Sequence, residues 1–359
     1  MNGSCRHVLD CKIITSDTEV GALAAEWRAL HAQAGSSVFT DYDWFAVWWR
    51  TVGNVQGRML HIVTGRIGGR LVALLPLAVI RRRGLRILQA IGAEAFYYCD
   101  TLCEDPAQAH ALWCMAKSSP HYDFAHIRDV CPDSTTEAVL SSLATLRDRS
   151  KTLSLRLQWR TPAEWKATFS DNFRKNLAKA ERQLAAKGTL AYTICEAMPI
   201  PQNIIESMVA HKTLWCEEHG LQGMFDQPAI LSYYRQMAEH TAQQHTLALA
   251  WLACGDAIIA CHILFKYKKT LHSYVLGTDA EWNKYSPGNL AHVHAIAWAI
   301  ENGFELFDHM QGDFAYKFKF ANQVRECREY TFSRTLRGFV GEKLFIHRRM
   351  AKRALEKRG

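Results

Sequence analysis

The most restrictive feature of this sequence is an order of predicted elements that occurs twice. Each half predicts two helices, a strand, a tight turn containing glycine, a long apolar strand and a further strand. After the turn, the long strand carries the run Leu71-Val72-Ala73-Leu74 in one half and Ile258-Ile259-Ala260-Cys261 in the other. An internal duplication explains this order, and so do two unrelated α/β domains with ordinary hairpins. The predicted strands span 59–64, 71–80 and 85–91 in the first half, and 246–254, 257–267 and 270–276 in the second.

Periodicity along the rest of the chain predicts further helices and strands. Apolar residues recur at helical spacing over 17–33 and 41–53. A basic helix is predicted from Pro162 to Lys187, with Gly188 as the glycine that follows its end. Helices and strands alternate in both halves, which predicts an α/β fold with mixed sheets. The other predicted helices span 134–149, 201–219 and 228–243, and the other strands 122–130, 153–159 and 190–195.

Length and charge bound the organisation of the chain. Because 359 residues exceed what one hydrophobic core usually organises, we expect two domains, at 1–160 and 161–337, and a basic C-terminal helix or tail at 338–359. Much of the formal net charge of +8 lies in that tail, where eight basic and two acidic residues fall between Arg337 and Gly359. The body is close to neutral, which argues against DNA as a partner. The tail fits packing on the body or contact with an anionic membrane surface.

Cysteine usage and hydropathy indicate the compartment. The eleven cysteines are scattered and form no C-x-x-C pair, a pattern typical of reduced thiols in a cytosol. The longest apolar run, 71–80, stops at three arginines, so neither a signal peptide nor a membrane span fits. We therefore expect a cytoplasmic protein, free or peripheral at the inner face of the membrane. Cys216 and His219 have no second ligand pair at a suitable spacing, so no metal site is expected.

A strand, a helix and a strand follow one another after the second hairpin. Ser286-Pro287-Gly288-Asn289 opens a helix that runs to Glu301, and a strand from Phe304 to Asp308 follows directly. Such a crossover is right-handed and makes its two strands parallel, or nearly so, in one sheet. The N-terminus of the helix then faces the carboxyl end of the strand before it. Unsatisfied backbone N–H groups and the helix dipole favour a phosphate or carboxylate there.

An ordered series of short motifs covers roughly residues 161–336. The series resembles the CelD/BcsL-like acyltransferases, a branch of the GNAT acyl-CoA N-acyltransferase superfamily related to the FemAB-like transferases. Single motifs are weak signals, whereas the set in this order is fairly specific. The motifs are Phe173-Arg174-Lys175-Asn176-Leu177, His211-Lys212-Thr213-Leu214-Trp215, the segment 220–225 with Pro228, Gly277-Thr278-Asp279, Ser286-Pro287-Gly288, Phe307-Asp308, and Gln311 to Lys317.

The resemblance implies a fold and a reaction. It implies two GNAT-like folds in tandem, each a mixed sheet flanked by helices, with the chemistry mainly in the second copy. It also implies amide formation, in which an acyl group moves from acyl-CoA, or an aminoacyl group from tRNA, to an amine. The implied acceptor is an amino sugar or an envelope or exopolysaccharide precursor. The pyrophosphate loop of acetyl-CoA-dependent relatives, R/Q-x-x-G-x-G/A, is absent, and Ser286-Pro287-Gly288 stands in its place.

Lys317 is the first candidate catalytic residue. Strand alternation over Tyr316 to Phe320 would place Lys317 and Lys319 on one face. A solvated lysine pair on a strand edge would give the same pattern. Tyr316-Lys317-x-x-Phe320 is similar to the Phe-Lys-x-x-Phe element of the FemAB-like transferases, whose lysine contacts the donor. The resemblance therefore implies that Lys317 offsets the developing oxyanion charge, and Lys319 is taken as structural.

Further candidates surround this lysine. Asp308 or Asp313 would act as the general base for the attacking amine, although both also fit ordinary turn chemistry. The resemblance implies that the strand with His272 and Tyr274 offers a backbone amide to the donor carbonyl. Tyr274 is a candidate acid for the leaving group. Alternatively, His272 and Tyr274 are half-buried structural side chains, which would alternate along the strand in the same way.

Binding residues are predicted for both the acyl donor and the acceptor. His211 and Trp215 share one helix face, which suits an acceptor pocket or core packing. The basic helix around Arg174 fits phosphate binding or a solvated linker. In the first copy no counterpart of 311–317 is recognisable, and Asp100 is the one acidic residue of interest there. We assign the donor side to Ser286, Pro287, Gly288, Asn289 and His272, and the acceptor side to His211, Trp215, Arg174, Gln311 and Tyr316.

These patterns predict a tandem GNAT-like N-acyltransferase with acyl-CoA as co-substrate and an amine or amino sugar as acceptor. One alternative keeps the fold and takes aminoacyl-tRNA as donor, because the pyrophosphate loop is absent and one helix is basic. The other alternative is an inert GNAT-like scaffold that recruits a polysaccharide or membrane assembly through the basic tail.

Overall fold

The computed structural model describes residues 8–34, 37–93, 95–220, 228–312 and 314–356. The chain divides into two compact units. Unit 1 comprises Met1–Lys151 and Arg325–Gly359, and unit 2 comprises Thr152–Val324. This division differs from the expected boundaries at 160/161 and 337/338, because the last strand and the last helix of the chain are part of unit 1.

A mixed sheet is the framework of unit 1. Its strands are β1 (Asp10–Ile14), β2 (Met59–Ile67), β3 (Arg70–Arg82), β4 (Leu85–Ala90), β5 (Leu102–Cys103), β6 (Phe124–Val130) and β13 (Gln323–Ser333). They lie in the order β1-β2-β3-β4-β6-β13, and β5 pairs with β3. Neighbours are antiparallel except for the parallel pair β4 and β6. The helices are α1 (Asp17–Ala22), α2 (Ala24–Ala34), α3 (Tyr42–Trp48), α4 (Pro106–Ser118), α5 (Thr135–Leu143) and α11 (Leu336–Glu356).

Unit 2 repeats this plan. Its strands are β7 (Thr145–Arg156, of which 152–156 belong to this unit), β8 (Leu190–Cys195), β9 (Leu247–Cys254), β10 (Ala257–Tyr267), β11 (Thr270–Thr278) and β12 (Leu306–Gln311). Their order is β8-β9-β10-β11-β12-β7, with β11 and β12 as the parallel pair. Both units therefore show the same strand order, and the predicted duplication and α/β fold are confirmed. The helices are α6 (Pro162–Ala167), α7 (Asp171–Ala185), α8 (Gln202–Glu218), α9 (Pro228–Gln243) and α10 (Pro287–Glu301).

The helix α10 is buried in the core of unit 2. Val293, Ala295 and Ile296 lie in one cluster with Leu264 of β10 and Leu271 of β11. Small alanine side chains let a helix approach a sheet closely, and dense packing of this kind fixes the position of the whole helix. The core therefore holds the N-terminus of α10 rigidly relative to the end of β11.

Several predicted elements differ from the structure. The predicted helix 162–187 is two helices, because the Ser170 hydroxyl accepts a hydrogen bond from the Phe173 amide and starts a new helix. The predicted helix 134–149 ends at Leu143, and Thr145 begins β7. Within that strand Arg147 donates to Thr331, a tertiary contact that overrides local propensity.

The predicted basic tail is the helix α11 of unit 1. Arg337 forms an ion pair with Asp123 at 2.8 Å, and Glu342 is buried, where it accepts a hydrogen bond from Thr331 at 2.6 Å. The Phe345 ring packs on Phe124 with 5.8 Å between ring centroids. One face of this helix is therefore docked on unit 1.

Candidate active site

A wedge between two parallel strands is the centre of the candidate site. β11 and β12 pair only at Thr270 with Leu306, Leu271 with Phe307, and His272 with Asp308. β11 continues to Thr278 and β12 to Gln311 without further pairing between them. Strands that separate after a short paired stretch leave backbone groups available to a ligand. In α/β sheets a ligand binds outside the carboxyl ends of such strands.

Both edges of the wedge have irregular backbone. On β11, Ser273 pairs with Leu264 and Val275 with Ile263, so the register shifts at Tyr274, the extra residue of a β-bulge. On β12, Met310 has a φ of 61°, in the left-handed region that a non-glycine residue seldom adopts. Irregular and strained backbone of this kind concentrates at functional sites.

The N-terminus of α10 closes the wedge. Ser286 has a φ of 53°, its side chain makes no capping hydrogen bond, and Pro287 occupies the first turn. The amides of Asn289 and Leu290 bond to the Ser286 carbonyl. The Gly288 N–H is therefore the helix-terminal donor that remains for a ligand. A β-carbon on Gly288 would stand 3.3 Å from the Thr278 methyl group, so glycine permits this close approach of α10 to β11.

A short helix precedes Ser286-Pro287-Gly288, the motif that stands in place of the pyrophosphate loop. Residues Ala280–Tyr285 form a 3-10 helix between β11 and α10, and the Asp279 carboxylate accepts the Glu281 amide at its start. Gly277 is required here, because a β-carbon would stand 2.9 Å from the Met208 carbonyl oxygen of α8. The motif Gly277-Thr278-Asp279 thus sets the packing of α8 and the turn into α10.

A cleft of about 270 Å³ opens at this end of the sheet. Its walls come from β11, the segment 283–289, α8 and the segment after β12. All four predicted donor residues at the start of α10 line it. The lining residues are Lys212, Trp215, Leu276, Thr278, Asn283, Ser286, Pro287, Gly288, Asn289, Phe314 and Tyr316.

Lys212 is a cleft residue that the sequence reasoning did not select. Its ammonium lies 4.1 Å from the centroid of the Trp215 ring. In the described part of the chain it has no hydrogen bond and no ion pair, and burial lowers the pKa of Lys212. A cation without a carboxylate partner in a cleft suits an anionic ligand group. The sequence pattern that could have identified Lys212 is its position three residues before Trp215, on the same helix face.

Lys317 lies beneath the cleft wall rather than on a strand. It begins a 3-10 turn, Lys317–Lys319, so the predicted strand alternation over 316–320 is wrong. The Lys317 side chain is buried, and its ammonium donates to the Gln311 carbonyl at 2.7 Å. It also lies 5.7 Å from the centroid of the Phe314 ring, which lines the cleft. The carbonyl at the end of β12 draws this lysine inward, whereas Lys319 is exposed.

Asp308 and His272 form a buried pair at the base of the wedge. The Asp308 carboxylate lies 3.1 Å from the His272 Nδ1 atom and accepts the Met310 amide at 2.8 Å. The two residues are register partners on the last paired position of β11 and β12. The pair therefore stands where the strands diverge.

Tyr274 is directed toward α9. Its hydroxyl lies 3.0 Å from the Tyr233 hydroxyl, and its ring packs on Phe265 with 5.0 Å between centroids. The side chain is buried and does not line the cleft. These contacts favour a structural role for the side chain, whereas the backbone of Tyr274 lies at the irregular edge of the wedge.

Three buried histidines lie behind the cleft. Ring centroids are 5.1 Å apart for His262 and His292, and 5.4 Å for His292 and His309. Burial and the neighbouring charge of Lys317 lower the pKa of His292 to about 4, and burial lowers the pKa of His262 and of His309 well below the ordinary value. The cluster is thus neutral at physiological pH. The His292 Nδ1 atom donates to the Gly288 carbonyl at 3.2 Å, which ties the cluster to the cleft.

The other predicted binding residues are dispersed. His211 does not line the cleft: its Nε2 atom bonds to the Ile258 carbonyl at 3.2 Å, which anchors α8 to β10. Arg174 is exposed on α7 and bonds to Asp171 and to the Ala167 carbonyl. Gln311 contributes its backbone carbonyl to Lys317.

Two predicted acceptor residues, Trp215 and Tyr316, do line the cleft. Asp313 lies outside the described residues, as does most of the motif segment 220–225.

The matching wedge of unit 1 is filled. β4 and β6 pair only at Ile87 with Phe124 and at Leu88 with Ala125. The Phe96 ring, which follows β4, packs on Phe39 and Trp48 with 6.1 and 5.9 Å between ring centroids, leaving a cavity of about 30 Å³. Asp100 accepts the amides of Thr101 and Thr136, which makes it a structural residue.

Both units thus have the GNAT fold, a mixed sheet with a splayed parallel pair and a crossover helix at its open end. Residues 171–318 match the family described as "Acetyltransferase (GNAT) domain". No curated protein matches the sequence of the chain.

Solved structures agree with this fold. The crystal structure of FemX covers 90% of this chain and 97% of its own, at 10% identity and a TM-score of 0.58. The C-terminal domain of a putative lysylphosphatidylglycerol synthetase from Agrobacterium fabrum covers 91% and 96%, at 13% identity and a TM-score of 0.55. A tandem GNAT protein from the clavulanic acid biosynthesis pathway covers 91% and 98%, at 14% identity and a TM-score of 0.50. Likenesses at this identity concern the fold, and they support the tandem arrangement.

In the ranges that the structure describes, no helix is long and apolar enough to cross a membrane. Nor do the same residues contain a group of three or more His, Cys, Asp or Glu side chains arranged to hold a metal ion.

Proposed function

We propose that this chain is an N-acyltransferase that moves an acyl group from an acyl-CoA thioester to an amine. The carrying observation is the wedge between β11 and β12, which ends at an uncapped helix N-terminus. The Gly288 N–H and the Lys212 ammonium suit the phosphates of the donor. The irregular edge at Tyr274 suits the thioester carbonyl.

The reaction assigns a role to each buried group. The amine nitrogen attacks the thioester carbon, the C–S bond breaks, and the thiolate of CoA leaves. The Lys317 ammonium, buried beside the cleft wall, offsets the charge that develops on the carbonyl oxygen. Asp308, held by His272, takes the proton that the attacking nitrogen loses. Asp313 stays an alternative base that these contacts do not test.

The acceptor we propose is an amino sugar or an amine-bearing envelope or exopolysaccharide precursor. Trp215, Phe314 and Tyr316 form an aromatic wall on the acceptor side of the cleft. Aromatic faces beside a few polar groups are typical of small-molecule sites. This wall supports a ring-shaped acceptor rather than a flexible aliphatic amine.

Native mass spectrometry with acetyl-CoA, a longer acyl-CoA and free CoA tests the donor. We expect one CoA-containing adduct per chain, and loss of that adduct in Gly288→Trp, which fills the cleft. Gly21→Trp, at an exposed position of α1 with open space for a side chain, is the matched control. An absence of adducts with all three ligands would contradict the proposal.

Aminoacyl-tRNA is the second donor to be tested. Lys175, Lys179 and Arg182 are exposed on α7, which gives a basic helix face for a nucleic acid. RNA binding that weakens steeply with salt, together with no CoA adduct, would favour this donor. An inert scaffold would bind neither donor and would still associate with a polysaccharide or membrane assembly.

Exposed apolar residues on α11 support the proposal that the basic tail contacts a membrane. Leu336, Val340 and Leu344 are exposed at helical spacing on α11, beside the exposed Lys343. We expect sedimentation with phosphatidylglycerol vesicles and not with phosphatidylcholine vesicles. Leu344→Glu should abolish it, and equal sedimentation with both lipids would contradict the electrostatic part. Deletion of 338–359 is a poor test, because α11 is docked on unit 1.

A further inference from the structure

A second groove lies in unit 2 on the other side of the Lys317–Lys319 turn. Phe314 and Tyr316, before this turn, line the cleft, whereas Lys319, Phe320 and Asn322 line the groove. Its volume is about 560 Å³, about twice that of the cleft. None of the residues assigned to the transfer reaction lines it, so it requires a separate explanation.

The floor of the groove is a ladder of aromatic rings. Ring centroids are 4.8 Å apart for Trp165 and Phe169, 5.1 Å for Phe169 and Phe173, and 5.7 Å for Phe173 and Phe320. All three contacts are edge-to-face, so successive rings alternate between edges and faces along the floor. Trp159 adds a half-buried indole. Aromatic faces of this kind pack well against the C–H face of a pyranose ring.

Side-chain amides surround these rings. Asn172 and Asn176 are four residues apart on α7 and therefore share one helix face, the face with the groove. Gln158 and Asn322 contribute from the strand side. An amide offers both a donor and an acceptor, which matches the paired hydroxyl groups of a sugar.

The Asn322 amide is held in a fixed orientation. Its oxygen accepts the Arg156 amide at 2.8 Å, and its nitrogen donates to the Arg156 carbonyl at 3.2 Å. The second N–H and the second lone pair of this amide remain for a ligand. A preorganised polar group of this kind costs little ordering entropy on binding.

The charge of the groove restricts the ligand further. Lys319 is the charged residue among the described residues that line it, and no carboxylate is among them. A cationic ligand would therefore meet no counter-charge. A nucleic acid would need several phosphate contacts, whereas the groove offers one ammonium and four amides. A neutral or singly acidic saccharide fits this composition.

We propose that this groove binds a pyranose-containing oligosaccharide. The sugar rings stack on Trp159, Phe169 and Phe173, while Asn172, Asn176 and Asn322 bond to ring hydroxyl groups. The motif Phe173-Arg174-Lys175-Asn176-Leu177 then has a role of its own, because Phe173 and Asn176 line the groove while Arg174 and Lys175 are exposed. Binding here requires no donor, so it is measured independently of acyl transfer.

Saturation-transfer NMR and tryptophan fluorescence test the groove with the full chain and without CoA. The probes are a chito-oligosaccharide, a cello-oligosaccharide and an oligogalacturonate, which differ in charge and share the pyranose ring. We expect binding of at least one probe with a fluorescence change, and at least a tenfold loss of affinity in the double variant Asn172→Ala/Asn176→Ala. Both asparagines are exposed, so this variant is expected to fold.

Gln183→Ala is the matched control, because Gln183 is an exposed amide on the same helix and does not line the groove. It should change the affinity less than twofold. The proposal is overturned if no probe binds at millimolar concentration, or if the double variant and the control bind equally. Salt-dependent binding of single-stranded RNA that the double variant loses would overturn it in favour of a nucleic-acid site. A chain that binds sugar and no acyl-CoA would refute the transferase while leaving the groove intact.

Discussion

The two units of this chain share one strand order and differ at the open end of the sheet. In unit 1 the carboxylate of Asp105 caps α4 by accepting the Ala107 amide, and aromatic rings fill the wedge between β4 and β6. In unit 2 the Ser286 side chain makes no cap at α10, and the wedge opens into a cleft of about 270 Å³. A duplicated fold thus keeps its framework in both copies, while the free helix N-terminus and the space for a ligand are present in one.

The largest effect on turnover is expected at Lys317, for which unit 1 has no recognisable counterpart. Lys317→Ala should lower turnover about 100- to 1,000-fold with little change in donor affinity, because the lost ammonium acts on charge that develops in the transition state. Steady-state kinetics with a fixed acyl-CoA would measure this. The exposed Lys319→Ala is the control and should stay within about twofold. Turnover of Lys317→Ala near that of the parent would remove its catalytic role.

The next effect tests the filled wedge. Phe96→Ala should lower the free energy of unfolding by about 3 kcal/mol, since it removes a buried ring from a packed cluster. The transfer rate of the folded protein should not change. Chemical denaturation and native mass spectrometry would measure stability and donor stoichiometry. Two CoA adducts per chain in the variant would mean that unit 1 retains a blocked donor site, which would break the comparison.

A third variant gives unit 2 the carboxylate of unit 1. Ser286→Asp places a negative charge at the N-terminus of α10, where it repels the phosphates of the donor and weakens acyl-CoA binding about 10- to 30-fold. Aspartate and asparagine tolerate the left-handed backbone of this position. Calorimetric titration would measure the affinity, and the uncharged Ser286→Asn is the control. Equal affinities for the two variants would show that the donor does not use this helix end.

The smallest effect concerns acid stability of unit 2. The folded-state pKa of His292, about 4, lies below its ordinary value of 6.5, so the unfolded chain takes up a proton first as the pH falls. Stability from this residue is complete above about pH 6.5 and is lost progressively toward pH 4. We expect His292→Phe to remove about 1 kcal/mol of the loss between pH 7 and pH 5.5. Denaturation at both pH values measures this, and an unchanged pH dependence would contradict the burial argument.

The sequence predicted the fold more fully than the site. Repeated strands and the crossover helix were predictable, because apolar periodicity and the Ser286-Pro287-Gly288 start signal are local in the chain. Lys212 was missed because its role depends on Trp215 and on α10, which lies far away in sequence. The Lys317 turn was predicted as a strand, because only the tertiary contact with the Gln311 carbonyl turns its side chain inward. Long-range contacts of this kind leave no periodic pattern.

The division of the chain has a consequence for its synthesis on the ribosome. Unit 2 is continuous from Thr152 to Val324, whereas unit 1 is interrupted and needs β13 and α11, which are translated after unit 2. Domains tend to fold as they emerge. The unit with the cleft can therefore fold first, while the first 151 residues wait with β6 unpaired on the edge that β13 later covers. An exposed strand edge invites aggregation, so the demand for chaperones during synthesis should come from the older, N-terminal part of the nascent chain.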